Sequence, residues 1–234
     1  MTPVQGARAR ARIEITAAIK DEARTQLAAE GAAKLSLRAV ARELGMVSSA
    51  LYRYFPSRDD LLTALIVDAY DAVGAAAEQA DAATAATAPA DHLARWTAVC
   101  RAVRAWAVAH PHEYALIYGS PVPGYTAPQD TVGPAARVGL VLVSLARAAY
   151  QGPGIALPPL APKLRPEAER LAAELTPDLP PALATALVAA WAQLFGLISF
   201  ELFGQFHRVV EDRDTFFAAS AERLGREVGL LPVA

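Results

Sequence analysis

A single cysteine in 234 residues, Cys100, excludes an internal disulfide, and no set of cysteines and histidines has zinc spacing. No metal and no cofactor are therefore expected, and the core must supply the stability. Aromatic residues reach only 7% and charged ones 20%, but 54% of the chain is hydrophobic, which excludes a disordered chain and leaves material for a substantial core. An excess of one charge sign is also missing, the net charge being -2. Residues 1–11 lack the apolar run of a secretory signal, so the expected setting is a reducing cytoplasm. Gly-rich phosphate loops, HExxH and GxSxG are absent, and no nucleophile or acid/base pair stands out. His110 and His112 are two apart and point to different sides of a helix. No catalytic set is present, and an enzyme is not expected.

Proline is scarce in the first third, where Pro56 is the only one between Pro3 and Pro89, while thirteen of the seventeen lie from Pro111 to Pro181. The first third can hold unbroken helices, and the middle must be interrupted. Ile15, Ile19, Ala23 and Leu27 recur at i+4 and predict a helix from Ala9 to Glu30, stopped by Gly31. Ser36 can cap a second helix, Leu37 to Leu44, which Gly45 ends. A short third segment from Ser48 contains Leu51, Tyr52 and Phe55 and stops at Pro56. Ser57 and Asp60 then form a capping-box pattern for a fourth helix, reaching about Glu78. Further helices are predicted over Asp91 to Ala109, Pro111 to Tyr118, Ala135 to Tyr150, Arg165 to Leu175, Pro181 to Phe206 and Asp212 to Val228. No sustained strand alternation occurs, and the chain reads as all-α.

From Leu179 to Phe200 no residue is charged, a length that would cross a membrane. The run opens with Pro180 and Pro181, is rich in Ala, includes Thr185, Gln193 and Ser199, and has no flanking basic cluster. A helix apolar on all sides is equally satisfied by its own domain on one face and a second subunit on the other. Burial in protein is the expectation, with no membrane partner.

Charge is unevenly placed. Residues 1–60 carry ten Arg/Lys against seven Asp/Glu, and the remainder twelve against seventeen. A basic head on an acidic body suits an anion-binding module joined to a different kind of domain. Two short helices with a Gly-started turn between them form a helix-turn-helix pattern, whose second helix enters a DNA major groove. Val40, Ala41, Leu44, Leu51 and Phe55 can pack the pair, leaving Ser48, Ser49, Tyr52 and Arg53 outside. By spacing alone, Tyr52 and Tyr54 suit the core of a three-helix unit equally well.

The run Leu51-Tyr52-Arg53-Tyr54-Phe55-Pro56-Ser57, with Leu35-Ser36-Leu37-Arg38 and Val40-Ala41-x-x-Leu44-Gly45 before it, resembles the TetR family of transcriptional regulators over about residues 8–65. His110-Pro111-x-x-Tyr114, the loop from Tyr118 to Tyr125 and Trp191-x-x-x-x-Gly196 resemble the C-terminal domain of a subgroup with a Trp-His-Gly signature, although Phe195 precedes the Gly here. The resemblance implies a DNA-binding domain over 1–57 and a helical ligand-binding and dimerisation domain over 58–234. It implies that Ser36, Arg38, Ser48, Ser49, Tyr52, Arg53, Tyr54 and Arg58 meet double-stranded operator DNA, Ser36 and Arg38 at phosphates and sometimes a base edge, Tyr54 at a phosphate, and Arg58 where the family usually has a Lys. The family commonly has a capping Ser where Val47 stands, so either Ser48 caps the recognition helix or that helix starts one residue late. Arg8, Arg10 and Arg12 are either a basic arm along the DNA or a solvated tail.

The implied protein is a homodimeric repressor on a palindromic operator, released by a small molecule. Leu187, Trp191, Phe217 and Leu224 are candidate dimer contacts in a four-helix bundle. Trp96, Cys100, Tyr114, Tyr118, Leu145 and Phe195 are candidate ligand contacts, suited to an apolar or aromatic molecule; the acidic body also leaves room for a cationic one. The alternative is a helical small-molecule carrier without DNA binding.

Overall fold

The computed structural model describes residues 3–233, with side chains from residue 6 onward. The elements are α1 (Pro3–Glu30), α2 (Leu37–Glu43), α3 (Ser48–Leu51), α4 (Arg58–Thr87), α5 (His92–Ala109), α6 (Pro111–Tyr118), α7 (Val132–Tyr150), α8 (Arg165–Leu175), α9 (Pro181–Leu202) and α10 (Arg213–Val228). Among the described residues there is no strand, only an isolated bridge between Ile155 and Leu230. The all-α expectation holds.

The local signals in the sequence explain most boundaries. Ser36 accepts from the Ala39 amide at the start of α2, Asp91 from Ala94 before α5, and Asp212 from Thr215 before α10. Ser57 caps α4, its Oγ accepting from the Asp60 amide at 3.1 Å and donating to the Asp60 carboxylate at 2.7 Å, which is one half of a capping box. Several boundaries differ from expectation: α1 starts at Pro3 and not Ala9, and α7 at Val132 and not Ala135. The Ala/Thr-rich stretch continues α4 to Thr87, because Ala propagates a helix and neither Pro nor a further Gly breaks it. α9 ends at Leu202, where Gly204 takes a φ of 87° that turns the chain out of the helix.

The chain forms two compact units, residues 1–70 with 110–134, and residues 71–109 with 135–234. This differs from a division at residue 57, since α4 contributes to both units and α6 with its Pro/Gly loop packs in the first. The first unit has a core of Ile19, Ala23 and Leu27 from α1, Val40 and Ala41 from α2, Leu51 and Phe55, and Leu61, Leu62 and Leu65 from α4. Leu116, Val122 and Tyr125 pack against it. Arg24 reaches Asp21, Asp68 and Glu113 at 2.7, 2.7 and 3.2 Å, and Tyr125 meets the Thr63 hydroxyl at 2.9 Å.

The second unit packs α5, α9 and α10 together, with α8 along α9. Trp96 is fully buried and its indole N–H donates to Ala221 O at 3.0 Å. Arg104 makes a bidentate pair with Glu201, both bonds 2.7 Å, beside the Phe217 ring. The segments 129–150 and 181–202 are long and apolar enough to cross a membrane. α9 nevertheless buries Leu183, Leu187, Leu194 and Ile198 within its own unit, as expected of a core helix.

Candidate nucleic-acid interface

The geometry of the head follows from one sharp turn. α2 ends at Glu43, Gly45 adopts φ 63°, and the Met46 amide donates to Ala41 O at 2.8 Å, which reverses the chain within four residues. Ala41 is fully buried, and with no more than a methyl group it lets α2 lie close to its neighbours. α3 then starts at Ser48. Val47 occupies the N-cap position with an extended backbone and supplies no side-chain cap. Neither expected compensation occurs, because Ser48 does not replace the cap and the helix is not delayed.

α3 sends Leu51 inward, fully buried, and this fixes what faces out. Ser49, Tyr52 and Arg53 are exposed, Tyr52 by 42%, and Arg38 is exposed on α2. Among the described residues these four side chains have no hydrogen bond or ion pair. Donors left in water on a helix-turn-helix are available for phosphates and base edges. Ser48 is half-buried beside them.

Three candidates are otherwise engaged. The Ser36 hydroxyl is used by the cap described above. Tyr54 is half-buried against the core, with the Arg12 guanidinium 5.3 Å from its ring centroid. Arg58 is not held ready for a phosphate. Its Nε donates to Leu35 O at 3.2 Å, and its Nη2 to Ala32 O at 2.8 Å and Ala33 O at 3.2 Å. It ties the turn between α1 and α2 to the start of α4. Arg8, Arg10 and Arg12 lie in α1 itself, not in an extended arm. The position of Arg12 over Tyr54 had no signal in the sequence, since the two are far apart along the chain.

Five of the candidate ligand residues are placed in the packed interior, and Tyr118 is half-buried. Tyr114 and Tyr118 belong to the first unit, Trp96, Cys100, Leu145 and Phe195 to the second. Trp96, Cys100, Tyr114 and Leu145 have no exposed surface, and Phe195 has little. Burial pushes the Cys100 thiol up to about 12, so it stays protonated and inert. Burial, with Tyr70 and Tyr114 close by, also raises Tyr118. A cavity of about 330 Å³ does lie in the second unit, but other residues wall it: Ala135, Gly139, Leu142 and Val143 of α7, Leu171 and Leu175 of α8, Thr176, and Ala184, Leu187, Val188 and Trp191 of α9.

The candidate dimer residues divide in the same way. Leu187, Phe217 and Leu224 are buried within the second unit itself, whereas Trp191 is 42% exposed. The exposed apolar residues on these helices are Val188, Trp191 and Phe200 of α9 and Phe216 of α10, with Phe203 just beyond α9.

Comparison with known proteins agrees with the helix-turn-helix. Residues 19–65 match the sequence profile of bacterial regulatory proteins, tetR family, and residues 96–224 that of the Tetracyclin repressor-like C-terminal domain. HTH-type transcriptional regulators of Mycobacterium bovis and Mycobacterium tuberculosis are each 44% identical to the chain over 204 residues, 86% of both partners. A crystal structure of a regulatory protein aligns at 35% identity with a TM-score of 0.75, covering 92% of this chain and 97% of that one. A tetR-family regulatory protein from Rhodococcus RHA1 shares the fold, with a TM-score of 0.62 at 18% identity over 92% of this chain and 97% of its own. These relatives replace the reading as a carrier without DNA binding: the chain belongs to the TetR family of helix-turn-helix transcriptional regulators.

Proposed function

We propose that this regulator is a cytoplasmic, non-catalytic repressor that binds a near-palindromic operator as a homodimer and is released by a small molecule. The observation that carries the reading is the outward, unpaired set Arg38, Ser49, Tyr52 and Arg53 beside a fully buried Leu51. In this reading Ser49 and Tyr52 meet base edges, while Arg38, Arg53 and the Tyr54 hydroxyl meet phosphates. Ser36 and Arg58 support the head from within.

α3 has four residues and can reach only a few base pairs. Useful specificity then needs a second copy about one helical turn away, roughly 34–36 Å. The exposed residues Val188, Trp191, Phe200, Phe203 and Phe216 support α9 and α10 as the surface that meets that copy. An effector bound in the second unit lowers DNA affinity by the ratio of its affinities for the two conformations of the protein.

Footprinting on the DNA flanking the regulator's own gene tests the reading. A protected, two-fold-related site is expected, with affinity falling linearly in log salt. Absence of salt-dependent binding to any duplex would end it.

A further inference from the structure

The inward face of α1 runs on past the core of the first unit. Ile19, Ala23 and Leu27 are buried, and Ile15 packs partly against the same core. At about 100° per residue, Ile15, Ile19 and Ala23 lie within about 40° of one line along the helix, and Arg12 and Arg8 fall on that line too, about 20° to either side of Ile19. Arg10 points about 180° away. Residues 7–14 are exposed throughout, yet they stay helical, because Ala and Arg both favour a helix. The stripe that is apolar over the core becomes cationic beyond it, on the side of α1 against which the helix-turn-helix packs.

Arg12 shows where this face leads. Its guanidinium sits 5.3 Å from the ring centroid of Tyr54, which follows α3 closely and is the chain neighbour of the exposed Arg53. A guanidinium above a ring keeps its in-plane N–H donors, and Arg12 gives none of them to an acceptor among the described residues. Arg8 follows one turn further out, about 6 Å along the helix, and it too has no hydrogen bond or ion pair among the described residues. Glu14 is the only acid in residues 6–14, and it points about 140° away from the line through Ile19. Like charges at i and i+4 on one helix face repel each other, and an anion lying against that face removes the repulsion.

We propose that the outer turns of α1 are a second DNA-contacting element, in which Arg8 and Arg12 bind phosphates of the duplex beside the groove that α3 enters, while Arg10 takes no part. The Tyr54 ring is the platform that holds the Arg12 guanidinium in place before DNA arrives. These contacts anchor the head without reading sequence, because every duplex presents the same phosphates. This role rests on the operator binding proposed above and extends it from the helix-turn-helix to α1.

The test is fluorescence anisotropy with the full chain over a salt series, on the operator found by footprinting and on an unrelated duplex of equal length. Arg8→Ala and Arg12→Ala are each expected to weaken binding to both duplexes and to reduce the slope of log K against log salt by about 1, whereas Arg10→Ala leaves the slope unchanged. Arg8→Lys is expected to keep the slope, since a phosphate accepts either cation. The Arg8 side chain has no partner in the fold, so the urea midpoint of Arg8→Ala should match the wild type, which separates a lost contact from lost structure. Three results overturn the proposal. One is a native slope in both Arg8→Ala and Arg12→Ala. Another is a slope loss in Arg10→Ala as large as in Arg8→Ala, the mark of a diffuse positive field in place of a contact. The third is an Arg8→Lys variant that behaves like Arg8→Ala, which would replace the phosphate by a minor-groove contact specific to Arg. Salt-dependent binding with a native slope in these variants refutes the role of α1 and leaves operator binding by the helix-turn-helix intact. A wild-type protein without salt-dependent binding to any duplex ends both.

Discussion

Arg58 separates a structural role from a DNA contact. Its guanidinium donates to three carbonyls, those of Ala32, Ala33 and Leu35, and its side chain is 29% exposed. Hydrogen bonds from a charged donor contribute about 1.5–3 kcal/mol each when well shielded, and less where water can replace the donor. With two of the three bonds at 3.2 Å and part of the side chain in solvent, Arg58→Ala is expected to destabilise the protein by about 2 kcal/mol. Arg58→Lys retains the charge but cannot span three carbonyls with one ammonium, so it should recover less than half of that loss.

Two assays give opposite signatures for the two roles. Urea unfolding followed by circular dichroism should show a lower midpoint with an unchanged slope. DNA binding by fluorescence anisotropy, repeated across a salt series, should show a uniform loss of affinity with an unchanged slope of log K against log salt. A phosphate contact would instead reduce that slope by about 1. A variant with native stability and a slope reduced by about one would refute the structural assignment of Arg58.

Arg38→Ala and Tyr52→Ala, which remove exposed and unpaired side chains, should each weaken operator binding by about 1–3 kcal/mol without lowering the urea midpoint; native affinity in both would move the contact surface elsewhere. Val47→Ser adds the missing cap to α3 and should raise stability by about 0.5–1 kcal/mol, read from the same urea curves, where a loss would mean that the Val side chain has a role of its own. Trp191→Asp should give a folded monomer by light scattering, whereas Leu187→Asp, which buries a charge, should unfold the chain; a folded Leu187→Asp protein would contradict its place in the core. His92 is lowered below its ordinary 6.5, first by burial and then by Arg95 nearby. The fold therefore favours the neutral ring, so the stability it contributes is complete above about pH 6.5 and is lost as pH falls toward the folded value. The wild type should lose more stability than His92→Gln between pH 7.5 and pH 5, and equal losses would refute this.

The head was legible in the sequence wherever a local signal decides the structure. Ser36, Ser57 with Asp60, and Gly45 act within three or four residues of themselves, and each does what its side chain or lack of one requires. Arg58 was not legible, because its partners lie 23 to 26 residues earlier and the turn at 32–35 reaches it only when the core closes. The same holds for residues 110–134. Glu113 and Tyr125 join the first unit through Arg24 and Thr63, 89 and 62 positions away, and a reading by composition and periodicity has no access to such pairs.

In the second unit periodicity identified the helices but not their faces. α9 is apolar all round, so Leu187 and Trp191, one turn apart, carry the same signal, although one is 5% exposed and the other 42%. Only the positions of α5, α8 and α10 decide which side is interior. The cavity exposes a second limit. Large buried side chains such as Trp96 and Tyr114 attract attention as ligand contacts, but a side chain that fills its own surroundings leaves no volume for a ligand. Space is left where small residues meet: Ala135 and Gly139 share a face of α7, and Ala184 lines the same cavity from α9. The signal that would have found this cavity is a pair of small residues at i and i+4 on one helix opposite another on the next.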